Sequence, residues 1–235
     1  MHIAVLMANT DESPFAEHHP KDGEKFKNLI KSVRPDWQLS VFVVKDGVFP
    51  NDITAFDGVI ITGSPASVHD DMPWVAPLLD QIRQAFQNET PMFGACFGHQ
   101  AIAVALGGAV THNPDGWAFG LLDMQVTKTL PWLDAQQNVL QYGAHIEQVT
   151  QLPEGGEPIF ATDGCPVAGF VIADRVYSTQ NHPEMTPEFI AALVAEYADK
   201  LPPDVAKRAQ ASLARVADTD LFAHSIAQFF EAATA

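Results

Sequence analysis

Two short segments, far apart in the chain, carry side chains that can do covalent chemistry together. The first is Gly94-Ala95-Cys96-Phe97-Gly98-His99-Gln100. An apolar, strand-like run precedes it and a helix-compatible run, His99–Leu106, follows. Glycines two residues before and after the cysteine match a nucleophile elbow with Cys in place of Ser. Such a turn lifts the side chain out of a sheet and places it at a helix N-terminus, where unpaired N–H groups and the helix dipole stabilise negative charge on sulfur. The N–H of Phe97 is then placed to receive an oxyanion. The second segment is Asn181-His182-Pro183-Glu184. A residue before proline is pushed into extended conformation, and in an extended segment positions i and i+2 share a face. Glu184 therefore falls beside the His182 imidazole. Nucleophile, base and orienting carboxylate make a Cys96–His182–Glu184 set suited to acyl transfer.

Other reactive side chains lack such a frame. Cys165 stands beside Gly164 and Pro166 and reads as a small core residue. His18-His19 and His69-Asp70-Asp71 lack further spaced ligands and read as solvated loops, so no metal site is expected. His99 reads as a packing or hydrogen-bonding residue. No Gly-Lys-Ser/Thr phosphate loop occurs, which argues against ATP chemistry, and no cofactor is expected. Lys21, Lys25, Lys27, Lys31 and Arg34 have near-helical spacing and read as a solvated helix face or, as the alternative, a docking patch for an acidic partner.

The elements that must position these groups alternate. His2–Met7, Trp37–Val44, Gly58–Thr62 and Pro91–Ala95 read as strands, with helical periodicity over Glu24–Val33 and Trp74–Asn88. That alternation predicts an α/β fold with a doubly wound, mostly parallel sheet. Beyond Gly108, short strand-like runs lie close together: Leu121–Val126, Val139–Tyr142, Pro158–Ala161, Val167–Ile172 and Val176–Thr179. Turn signals such as Asp163-Gly164 predict an antiparallel extension. Pro187–Leu201, Asp204–Val216 and Asp220–Ala233 read as C-terminal helices, the last with an apolar face that docks on the body. Thr10–Lys21 reads as a mobile loop. No linker separates domains, so residues 1–235 read as one domain, with a core over about 1–185 and a helical extension over 186–235.

The 235 residues, 47% of them hydrophobic, can bury a substantial core, which excludes a disordered chain. The longest apolar runs are too short to span a membrane, and Met1–Ala8 lacks the features of a signal peptide. With 29 acidic residues against 13 basic the net charge is −16, which argues against a nucleic-acid partner. Two cysteines are too few for a disulfide framework and suggest a reducing, cytoplasmic setting.

With these residues in place, the chain resembles the class I (triad-type) glutamine amidotransferases. That family's Gly-x-Cys-x-Gly-His/Glu-Gln motif stands here as Gly94–Gln100, and its His-x-Glu motif as His182-Pro183-Glu184. The oxyanion-strand landmark stands as Gly63-Ser64-Pro65-Ala66-Ser67-Val68, with Ser64 replacing a glycine. Ala144-His145-Ile146-Glu147-Gln148-Val149 resembles the family's substrate-contacting segment, with Ala144 and Glu147 as departures. The resemblance covers roughly residues 3–185 and is greatest to stand-alone relatives of the amidotransferase domain of GMP synthase. It implies a flavodoxin-like architecture and attack of Cys96 on the glutamine side-chain amide. It further implies an oxyanion hole from the N–H groups of Ser64 and Phe97, and substrate contacts from Gly63, Gln100, Ala144, His145 and Ile146. With few cations nearby, the substrate's α-carboxylate is expected to rely on backbone N–H groups. Three outcomes stay open: glutamine hydrolysis with ammonia passed to a separate synthase, hydrolysis of γ-glutamyl compounds, or a non-enzymatic binding role.

Overall fold

The computed structural model describes residues 1–134 and 138–234. Along the chain run β1 (His2–Met7), α1 (Pro14–Glu17), α2 (Asp22–Val33), β2 (Gln38–Val43), β3 (Gly58–Ile61), α3 (Val75–Gln87), β4 (Met92–Ala95) and α4 (Phe97–Ala105). There follow β5 (Ala109–His112), β6 (Ala118–Val126), β7 (Val139–His145), β8 (Glu147–Gln151), β9 (Glu157–Thr162), β10 (Cys165–Ile172) and β11 (Val176–Thr179). The chain then forms α5 (Pro187–Tyr197), α6 (Pro203–Ser212) and α7 (Thr219–Ala233).

Nine strands form one sheet in the order β2-β1-β3-β4-β11-β10-β9-β6-β7. The first five are parallel neighbours and the remainder pair antiparallel, so the doubly wound sheet and its antiparallel extension both form. Strand order reverses between β1 and β3, and such a switch point opens a crevice at the carboxyl ends of the strands. Both faces of the parallel half are covered. In β1, Ile3 and Val5 join the core under α2 and α7, whereas Ala4 and Leu6 join the core under α3 and α4. A third cluster packs Phe119 and Tyr142 of the extension against Ile190, Leu193 and Val205 of α5 and α6.

Three local expectations change. Thr10–Lys21 contains a helical turn, α1, capped by the Ser13 hydroxyl accepting from the Ala16 N–H at 3.3 Å. Its Phe15 and His19 rings pack on Phe189 of α5, at 5.9 and 5.1 Å between centroids, which ties the segment down. The strands β5 and β8 form a separate two-stranded sheet, where the sequence showed only a substrate-like segment. Lys25 leaves the solvated face assigned to it and is buried beside Asp22, whereas Lys21, Lys27 and Lys31 stay exposed. Among the described residues, no helix is long and apolar enough to cross a membrane.

Candidate active site

The β4–α4 junction creates the strained turn that an elbow requires. Cys96 takes φ +50° and ψ −107°, outside the regions that L-residues favour, and its N–H is held by the Thr179 carbonyl of β11 at 2.9 Å. The flanking glycines have steric reasons. A Cβ on Gly94 would lie 2.7 Å from the Gly98 carbonyl, and one on Gly98 would run into the Ile61 carbonyl of β3. Phe97 is the first residue of α4, so its N–H has no intrahelical acceptor. Cys96 is 5% exposed, at the floor of a cavity.

His182 lies beyond the end of β11, where the Tyr142 carbonyl accepts its N–H at 2.8 Å. Its Nδ1 meets Glu184 Oε1 at 2.7 Å, and the Glu184 side chain is fully buried. The His-Pro-Glu spacing thus places the carboxylate on the imidazole. Burial opposes a charge on His182, but the Glu184 carboxylate outweighs it. The neighbouring Cys96 acts in the same direction as Glu184, and the imidazole's pKa is held well above its usual value. Gly63 completes the close packing: a Cβ there would lie 2.7 Å from His182 Cε1 and 3.6 Å from Cys96 Cβ. Gly63 therefore packs close to both His182 and Cys96.

Opposite this loop, the β7–β8 corner carries the substrate-like segment. Ala144, His145, Ile146 and Gln100 line the same cavity as Gly63, Ser64, Cys96 and His182. Gln100 donates from Nε2 to the Glu147 carbonyl at 2.9 Å and to Gln180 Oε1 at 3.2 Å, so its amide hydrogens are spent on holding the corner. His145 Nδ1 lies 3.1 Å from the Glu147 carbonyl; a carbonyl can only accept, so Nδ1 carries the proton. Desolvation lowers the His145 pKa to about 4, with the nearby His182 charge acting the same way. His145 is thus a neutral imidazole beside a charged one. Ser67 Oγ joins the two sides of the cavity by donating to Glu147 Oε1 at 3.1 Å.

The remaining candidates lie elsewhere. His99 is buried, with Nδ1 2.9 Å from Ser178 Oγ, and desolvation lowers its pKa to about 3. Burial pushes the Cys165 thiol up to about 12, which leaves an unreactive sulfur in the core. His69 Nε2 meets the Val110 carbonyl at 3.0 Å, and His18 Nδ1 meets the Pro14 carbonyl at 2.6 Å. Among the described residues, no cluster of three His, Cys, Asp or Glu side chains could hold a metal ion.

The cavity itself, about 610 Å³, extends well past the cysteine. Phe15, Trp117, Phe119, Phe189 and Tyr197 line it, as does Lys25, which sits 3.3 Å from the Phe189 ring centroid. Sequence reasoning named none of these aromatics as site residues. Their signals were slight: Trp117 and Phe119 are spaced to share one face of a strand, and Phe15 and His19 to share one face of a helical turn. Lys25 also supplies a cation inside the cavity, although Asp22 Oδ1 takes one of its hydrogens at 2.8 Å.

The family model described as glutamine amidotransferase class-I matches residues 24–192. Gamma-glutamyl peptidase 3 of Arabidopsis thaliana is 30% identical over 166 residues, covering 67% of each chain. GMP synthase of Zymomonas mobilis is 37% identical over 136 residues, which are 54% of this chain and 24% of that one. Among solved structures, a glutamine amidotransferase from Thermotoga maritima superposes with a TM-score of 0.77 at 16% identity, over 98% of both chains.

Proposed function

The chain belongs to the class I glutamine amidotransferase family, and on that premise we propose that Cys96, His182 and Glu184 hydrolyse a glutamine-type side-chain amide through a thioester. The observation that carries this reading is the buried His182–Glu184 pair, 2.7 Å apart, whose imidazole lines one cavity with Cys96. In the first half, the Cys96 sulfur attacks the amide carbon and a C–S bond forms. The N–H groups of Ser64 and Phe97 hold the resulting oxyanion, each worth about 3–4 kcal/mol in comparable hydrolases. His182 passes a proton to the nitrogen, the C–N bond breaks and ammonia leaves. In the second half, His182 takes a proton from water, the oxygen adds to the thioester, and the C–S bond breaks to release glutamate. Glu184 keeps the imidazole in the required tautomer throughout. Gly63, Gln100, Ala144, His145 and Ile146 hold the glutamate portion, Gln100 by fixing the β7–β8 corner.

Similarity to GMP synthase favours delivery of the ammonia to a separate synthase. A second reading, hydrolysis of γ-glutamyl amides, is favoured by the length of the cavity and by similarity to a γ-glutamyl peptidase. The same three residues serve either substrate, and a purely binding role leaves their joint burial without a purpose. We take residues 1–235 as one catalytic unit, because α7 lies in the same core as β1, β4 and β11.

Acid quenching during turnover, followed by mass spectrometry, tests the mechanism. A glutamyl adduct on the peptide bearing Cys96, absent in Cys96→Ala together with all hydrolysis, is the expected result. Turnover that survives Cys96→Ala overturns it.

A further inference from the structure

We propose that the far part of the cavity is a leaving-group site for an aromatic amine, so that the preferred substrate is a γ-glutamyl amide of an arylalkylamine rather than free glutamine. This inference rests on the catalytic reading above and adds the identity of the amine. Two features of the cavity carry it, its size and the chemistry of its wall.

At about 610 Å³ the cavity falls within the roughly 300–1,000 Å³ typical of sites that enclose ligands much larger than one amino acid. Glutamine filling the corner formed by Gly63, Gln100 and His145 leaves most of that space unused. The direction of the surplus follows from the chemistry. His182 protonates the departing nitrogen, so the amine lies on the His182 side of the scissile bond. The chain that follows His182 contributes Met185, Phe189, Leu193 and Tyr197 to the wall. Phe15 of α1 and the pair Trp117 and Phe119 at the start of β6 line the same part of the cavity. The rings are already in mutual contact, with Phe119 5.4 Å from Tyr197, Trp117 6.0 Å from Phe119 and Phe15 5.9 Å from Phe189. Released ammonia makes no use of such a wall, whereas an aryl group would stack against it in edge or offset geometry.

The charges around the cavity argue against an anionic amine portion. Lys25 is buried, is paired with Asp22, and lies over Phe189; Asn9 Nδ2 holds the other Asp22 oxygen at 2.6 Å. This arrangement fixes the Phe189 ring while cancelling its own charge. Lys45 is likewise taken up by Glu12 and Asp46 at 2.6 and 2.7 Å. Carboxylates outnumber ammonium groups five to three among the lining side chains, which disfavours an amine that carries a carboxylate. The reaction balances without a co-reactant: γ-glutamyl-arylalkylamide and water give glutamate and the free amine, the amine nitrogen taking its proton from His182.

Rates for four probes test the proposal: glutamine, γ-glutamyl-2-phenylethylamide, γ-glutamylglycine and γ-glutamylputrescine. The phenylethylamide is expected to exceed each of the others at least about tenfold in kcat/KM. Phe15→Leu, which keeps apolar packing, and Trp117→Ala are each expected to lower the ratio of kcat/KM for the phenylethylamide to that for glutamine about tenfold. Circular dichroism checks that both variants fold. The leaving-group site is overturned if glutamine, the glycine amide or the putrescine amide is cleaved as well as the aryl amide, or if neither variant moves the ratio. Thioester formation on Cys96 in those same experiments keeps the catalytic reading intact. Turnover without a Cys96 thioester, or no turnover of any probe, defeats both.

Discussion

At Cys96 the backbone takes φ +50°, a conformation tolerated only where neighbours hold the turn. Thr179 does so from one side, and the α4 backbone, closing on the Cys96 carbonyl through the Gln100 N–H at 3.1 Å, does so from the other. Gly98→Ala introduces a Cβ where the Ile61 carbonyl already stands, so β3 and α4 have to separate. Turnover is expected to fall by about hundredfold, since misplacing reacting atoms by an ångström is enough for that. Steady-state kinetics on the folded variant checks it. Glu184 offers a cleaner probe of electrostatics. Burial opposes the His182 charge and the carboxylate overcomes it, so Glu184→Gln should bring the imidazole midpoint down from its raised position. An NMR titration of the ring protons reads this directly. The variant's kcat is expected to drop about hundredfold or more, the low end of what general acid–base catalysis contributes.

At the scale of elements, the legible parts were those with strong local chemistry. The Gly-x-Cys-x-Gly frame and the His-Pro-Glu spacing lie within a few residues and obey backbone geometry alone, and their placement could be read before any fold existed. Strands β1 to β4 were legible as continuous apolar runs, whereas β11, read with the antiparallel extension, pairs parallel with β4 and antiparallel with β10. The strands β5 and β8 were not legible, because their pairing joins Ala109–His112 to Glu147–Gln151 across a long sequence gap and neither stretch alternates cleanly. Lys25 misled for a different reason: the 3.6-residue period places it near the polar face, but Asp22 and Phe189 together make its burial favourable. The aromatic wall was missed because it assembles from α1, β6 and α5, and no one segment announces it. The last helix docks its apolar face on the body. Phe222, Ile226, Phe229 and Phe230 of α7 are fully buried in the core with Phe26, Phe93 and Tyr177, and Ser225 Oγ donates to Tyr177 Oη at 2.9 Å. Phe229→Ala should therefore cost about 3–5 kcal/mol, measured as a lowered urea midpoint. Arg34→Ala, which removes a surface fork to Glu231, should cost under about 1 kcal/mol.

For the molecule as a whole, the buried imidazoles tie stability to pH in opposite directions. His99 and His145 have folded pKa values of about 3 and about 4, below the unfolded 6.5. Between pH 6.5 and those values the unfolded chain binds protons that the folded chain excludes, so stability falls as pH falls. Each group contributes about 1.4 kcal/mol per pH unit across its window. His182 has the opposite sign. Its folded pKa is raised, so its contribution is complete below 6.5 and is lost as pH rises through the folded value. Urea midpoints should therefore peak near pH 6.5 and decline on either side, with the steeper limb towards acid, where two groups act together. His99→Gln removes a neutral buried ring whose Nδ1 bonds Ser178, so it should lower stability at neutral pH. It should also flatten the acid limb by about one proton, because one of the two excluded sites is gone. Glu184→Gln should flatten the alkaline limb, because it removes the charge that holds the His182 pKa up. If His99→Gln leaves the acid slope unchanged, the His99 ring is protonated in the folded protein and the buried neutral assignment is wrong.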